Sequence, residues 1–134
     1  MKKFLFSSRR TEKLPGLADK MVIVVNTELQ MSAGKIAAQT AHAALALYRS
    51  VSHSDEGVEF LKPWLGAGQP KIVLRGRSSQ HLIELSDKAK ALRLPCYLVR
   101  DAGLTQVPQN SLTALSVVGP RRVVDEVTGR LSIL

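Results

Sequence analysis

Hydrophobic residues follow two rhythms along this chain, one of unbroken apolar runs and one of helical spacing. Met21–Thr27 (MVIVVNT) is a β-branched run of the kind buried on both faces of a sheet, and it predicts a first strand. Met31-Ser32-Ala33-Gly34 reads as a turn in which Ser32 is the helix N-cap. A helix is predicted from there to about Ser50, with Ile36, Thr40, Ala43 and Leu47 on one stripe. It is crowded with alanine (Ala37, Ala38, Ala41, Ala43, Ala44, Ala46), so it can approach a sheet or another helix closely. His53–Gly57 reads as a polar loop, and Val58–Leu65 as a short helix carrying Trp64 as a packing residue.

Lys71–Leu74 predicts the second strand. Ser78–Leu94 predicts an amphipathic helix with Leu82, Leu85, Ala89 and Leu92 at helical spacing, stopped by Pro95. Cys96–Val99 is the third predicted strand, Asp101–Asn110 a loop, and Ser111–Val118 the fourth strand. Gly119-Pro120 opens a last short helix that ends at Thr128-Gly129, and Leu131–Leu134 reads as a closing edge strand. Alternating strands and helices give an α/β class with at least part of the sheet parallel. In such sheets ligands bind beyond the carboxyl ends of the parallel strands. Residues 26–35 and 100–106 are therefore the segments to search for chemistry.

Composition narrows the function classes. A length of 134 residues fits one domain, and 45% apolar with 22% charged residues excludes wholesale disorder. One cysteine, Cys96, excludes an internal disulfide framework and a cysteine-rich zinc site, and its mid-strand position predicts a buried, inert thiol. The net charge is +8, and residues 1–20 hold six cations against two acids, 6 − 2 = +4. Residues 1–19 thus read as a basic, flexible arm and 20–134 as the body. The charge points to an anionic partner, nucleic acid first and anionic membrane second. No run reaches the ~20 apolar residues of a membrane span, and the apolar patch in MKKFLFSSRR is too short for a signal peptide. A cytoplasmic location is expected, with the arm leaving mitochondrial association open.

The P-loop, dinucleotide-binding and nucleophile-elbow motifs are all missing, and His42, His53 and His81 lack metal-ligand spacing. Lys35, Gln39 and His42 stand at i, i+4 and i+7 on one helix face. A lysine in the first turn opposes the helix dipole at a cost of up to ~1 kcal/mol unless an anion lies nearby. Asp101 follows the third strand directly and would meet Lys35 if the first and third strands were parallel neighbours. The spacing alone equally allows a solvated lysine, a structural histidine and an ordinary turn aspartate.

Four motifs in order go further. M-x-x-G-K-I-A-A-Q-x-x-H-A at Met31–Ala43, G-Q-P-K at Gly68–Lys71, D-A-G-x-T-Q at Asp101–Gln106 and T-x-L-x-x-x-G-P at Thr113–Pro120 resemble the type 2 peptidyl-tRNA hydrolase family over about residues 20–134. The resemblance implies a single three-layer α/β/α domain with a mixed, mainly four-stranded sheet, helices on both faces, and a homodimer. It implies hydrolysis of the ester between peptide and tRNA with no metal or other cofactor. It places the catalytic set on Lys35, Asp101 and Thr105, and the substrate-binding set on Gln39, His42, Gln106 and Thr113. In the expected mechanism water attacks the ester directly, oriented or deprotonated by Asp101, while Lys35 holds Asp101 ionised and stabilises the oxyanion. Family members often carry basic residues where this chain has Asn26, Ala33 and Leu104, and an aspartate at Glu28. The basic arm would compensate for those phosphate contacts. The competing reading is a catalytically weak or inactive RNA-binding or protein-interaction module on the same fold.

Overall fold

In a computed structural model of the chain, which describes residues 18–101, 108 and 110–134, strand β1 (Lys20–Asn26) runs through the middle of a four-stranded sheet. The order is β2-β1-β4-β3, with β2 at Lys71–Gly76, β3 at Cys96–Arg100 and β4 at Leu112–Gly119. Only β1 and β2 pair in parallel; β4 lies antiparallel between β1 and β3. The first and third strands are therefore not neighbours, against the arrangement that the sequence reading required for a Lys35–Asp101 contact. Both central strands are buried along their whole length.

Period-two alternation divides the core into two layers. Met21, Ile23 and Val25 face Ala43, Leu47 and Val51 of helix α1 (Ala33–Val51) and Phe60, Leu61 and Trp64 of α2 (Asp55–Gly66). Val22 and Val24 face Leu82, Leu85 and Ala89 of α3 (Ser79–Ala91) and Val124 and Val127 of α4 (Arg121–Thr128). Helices thus cover both sheet faces, the three-layer α/β/α arrangement that the resemblance implies. The alanines of α1 matter here. Ala43 is fully buried, and its carbonyl accepts a 2.8 Å hydrogen bond from the Ser116 hydroxyl of β4.

Local chemistry explains the boundaries that differ from the sequence reading. α1 opens where expected, with the Ser32 hydroxyl accepting from the Lys35 N–H at 3.2 Å. Its buried stripe is Gln39, Ala43, Leu47 and Val51, so Ile36 and Thr40 sit at the margin and Gln39 at the centre. α2 starts at Asp55 rather than Val58, because Ser54 caps it and Asp55 and Glu56 complement the dipole of the first turn. α3 stops at Ala91, before Pro95. Arg93 takes a left-handed conformation (φ 59°), and the Leu94 N–H reaches back to the Ala89 carbonyl at 2.9 Å. The closing edge strand shrinks to a single antiparallel bridge between Ile133 and Leu74. Trp64 is a packing residue, its indole N–H donating to the Pro70 carbonyl at 3.0 Å. Cys96 is half-buried against Ser86, more open than the sequence reading held.

Candidate active site

The site is assembled at the end of the sheet where β1 leaves and β4 enters. α1 starts there and crosses diagonally over β1, β4 and β3. Its first turn carries Lys35 over the end of β3, where Asp101 leaves the sheet. The Lys35 ammonium donates to Asp101 Oδ2, with the lysine side chain 9% exposed and the aspartate side chain 2%. The pair forms across β4 without requiring β1 and β3 to touch. The carboxylate offsets the cost of a cation at a helix N-terminus.

Backbone bonds to residues 110 and 111 hold Asp101 at the sheet end. Its N–H donates to the Ser111 carbonyl at 2.9 Å, and its carbonyl accepts from the Asn110 N–H at 3.0 Å. Asn110 turns the chain at φ 65°. Both partners lie beyond the segment 102–109 in the chain. Thr105, Gln106 and Leu104 belong to that segment and lie outside the described residues.

One turn below Lys35, Gln39 is buried, and its Oε1 accepts from the Thr113 hydroxyl at 2.5 Å. Thr113 is wholly inaccessible, so any influence it has on a bound molecule passes through Gln39. His42 lies apart. It is exposed on α1 and has no polar partner among the described residues. The expected face of three residues therefore splits into an inward pair, Lys35 and Gln39, and an outward histidine.

Asn26 is a positioning feature that sequence reading treated only as a departure from the family pattern. It is fully buried, so it is no surface contact. Its side-chain N–H groups donate to the Leu112 carbonyl at 2.9 Å and to Ser79 Oγ at 3.2 Å, and its Oδ1 accepts from the Glu28 N–H at 3.1 Å. These three bonds clamp the end of β1 to the start of β4 and to α3, and cap the turn at Thr27–Leu29 that leads to Ser32. The local signal was available: an asparagine bonding the N–H two residues on is a common turn opener.

His81 holds the neighbouring corner between β2 and α3. It is buried, and Nδ1 accepts from the Arg77 N–H at 2.9 Å. Burial, foremost, and the Arg77 charge push its pKa below 6.5, and Glu84 pulls the other way. The neutral ring is the one that fits. Its contribution to stability is complete above the unfolded-state value of about 6.5 and is lost as the pH falls through the lower folded value. His81→Asn keeps an acceptor but no titrating ring. Its Tm deficit relative to the parent should therefore shrink between about pH 7.5 and about pH 5. A deficit constant over that range would remove His81 from the acid response.

Among the described residues, no group of three or more His, Cys, Asp or Glu side chains could hold a metal ion, and no helix is long and apolar enough to cross a membrane. The ammonium–carboxylate pair can orient a water molecule and stabilise negative charge on an oxygen beside it.

Comparison with known proteins places this arrangement in a family. A structure of a protein of unknown function from Agrobacterium tumefaciens C58 shares the fold, with a TM-score of 0.58 at 11% identity over 87% of this chain and 98% of its own. A probable peptidyl-tRNA hydrolase 2 of Caenorhabditis elegans is 43% identical over 92% of this chain, which spans only 39% of that longer protein. Peptidyl-tRNA hydrolases of Staphylothermus marinus and Sulfurisphaera tokodaii are 42% and 43% identical, over 86% and 88% of this chain and 94% and 100% of their own lengths. The profile of peptidyl-tRNA hydrolase PTH2 matches residues 19–134, and with the archaeal relatives matched nearly end to end, the chain belongs to the PTH2 family of peptidyl-tRNA hydrolases.

Proposed function

We propose that this protein hydrolyses the ester joining a peptide to the terminal ribose of tRNA. One observation carries the reading beyond family membership: a lysine and an aspartate 66 positions apart are buried against each other at the mouth of the sheet. Such a pair is costly to desolvate, and replacing it by apolar residues is often neutral for stability. Its presence at the sheet end where α1 begins is accounted for by chemistry.

In the proposed reaction a water molecule held by Asp101 attacks the ester carbonyl. The Lys35 ammonium stabilises the tetrahedral oxyanion. The bond to the ribose oxygen breaks, and the proton from water passes through Asp101 to that oxygen. The products are a free peptide carboxylate and tRNA. Thr105 is proposed to hold the ester or the water, with Gln106 beside it on the substrate. Gln39, fixed by Thr113, orients the site from below, and His42 meets the substrate from the exposed face of α1. No metal or other cofactor enters any step. The basic arm adds cations for tRNA phosphates: residues 1–19 hold five cations and two acids, 5 − 2 = +3. The proposal includes a second copy of the chain as partner, for which exposed Leu45 and Tyr48 on α1 offer apolar surface.

The test is turnover of purified peptidyl-tRNA. Peptide and intact tRNA should be released, and EDTA should not stop the reaction once the effect of magnesium on tRNA folding is matched in controls. Tight tRNA binding without release would favour the inactive RNA-binding module. Inactivation by EDTA reversed by a divalent metal would overturn the metal-free step.

A further inference from the structure

The two edge strands both leave arginines at the end of the sheet where Lys35 meets Asp101. β2 carries Arg75 and is followed by Arg77; β3 ends on Arg100. The register puts them at one level. Gly76 pairs with Asn26, Arg75 with Val25, and Arg100 with Leu112, the residue whose carbonyl Asn26 holds. All three arginines are exposed, and none has an acidic partner among the described residues. Arg100 alone is tethered, its Nη1 donating to the Asn110 carbonyl at 3.3 Å, at the neck of the loop after Asp101. The segments at this end, residues 26–35, 75–80, 100–101 and 110–113, contain only two acids, Glu28 and the paired Asp101. The far end mixes signs: Lys20 is bound to Asp125 at 2.6 Å, and α2 opens on Asp55 and Glu56.

The geometry points to Arg75 and Arg77 on one flank and Arg100 on the other as the phosphate-binding rim of this site, each flank taking a different phosphate of the tRNA. This rests on the peptidyl-tRNA reading above and supplies what it lacked. Ala33 and Leu104 are uncharged and Asn26 is fully buried, so beyond the paired Lys35 the cations at this end are those of the edge strands and the residue after β2. β2 and β3 stand three strand spacings apart, about 14–15 Å, which is too wide for one phosphate to bridge. The contacts are therefore independent, and their counterion release adds.

Binding of deacylated tRNA, measured against salt concentration, reads this directly. Arg100→Gln, and separately the pair R75Q/R77Q, should each lower the log–log salt slope by about 0.9 on a duplex segment, or about 0.7 on a single strand, and weaken binding several-fold. The triple variant R75Q/R77Q/R100Q should lose roughly the sum. Arg49→Gln and Lys88→Gln, near the far ends of α1 and α3, should leave the slope unchanged. Thermal melting verifies that every variant is folded. A triple variant with the parental slope, or control variants that lose as much as the rim, overturns the assignment. So does a parent protein that binds no tRNA. Turnover of the parent is scored separately. An inactive parent whose tRNA binding still depends on the three arginines would defeat the hydrolase reading and leave the rim standing.

Discussion

Lys35→Met is expected to cut turnover by about a hundredfold or more, the order found when one oxyanion-stabilising group is removed. It should also lower stability, because it leaves the Asp101 carboxylate, 2% exposed, without its counter-ion. Breaking a buried ion pair from one side costs about 3–5 kcal/mol. Asp101→Asn should be as damaging to turnover but milder to the fold, since an amide oxygen can still accept from the lysine. The double variant Lys35→Met/Asp101→Leu separates the two effects. With no charge left to strand, its melting temperature should return toward the parent while its activity stays lost. Single-turnover rates and melting curves on the parent and the three variants read both effects. A near-parental rate in Asp101→Asn with normal melting would take the pair out of the chemistry.

Gly57→Ala should produce a large loss of stability from the smallest possible side-chain change. Gly57 sits buried in the first turn of α2, where a Cβ would stand 1.6 Å from the Val51 carbonyl oxygen and 2.7 Å from its carbon. The obstacle is backbone at the end of α1, so no rotamer change relieves it. Overpacking usually costs about 1–3 kcal/mol, and a backbone collision of this depth belongs at the upper end. For a chain of this size that is a fall in Tm of about 10 °C. Gly34→Ala is the control. No atom lies within 4 Å of a Cβ there, and its melting temperature should stay near the parent's. A Gly57→Ala protein that melts with the parent would mean that α2 docks on α1 differently.

The sequence carried the class of every principal element, because the signals were local: the MVIVV run, the Ser32 cap, the period of α3 and the proline before β3. What it did not carry was strand order. Nothing in Asp101 or Lys35 says that the last strand inserts between the first and third, and the pair meets because α1 begins over the end of β3, on the far side of that inserted strand. The inward turn of Gln39 was also hidden. A glutamine on a helix reads as polar surface, and only the Thr113 hydroxyl, 74 positions away, makes its burial affordable. The edge-strand arginines carried no local signal at all, since their meaning depends on which strand ends share a level.

Insertion of β4 between β1 and β3 has a consequence for how the protein is made. β1 and β2 can pair, with their crossover, once residue 76 has left the ribosome. Lys35 and Asp101 have no common support until Leu112–Gly119 is in place, because Asn110, Ser111 and Leu112 provide the bonds that hold Asp101 and Asn26. A nascent chain shorter than about 120 residues thus has a strongly apolar β1 with one bare edge and no assembled Lys35–Asp101 pair. Such an edge is the place where another chain can add a strand. Synthesis at ~5–20 residues per second leaves that edge open for seconds. Truncation before β4 should therefore give an aggregation-prone fragment in which the Lys35–Asp101 contact is not formed.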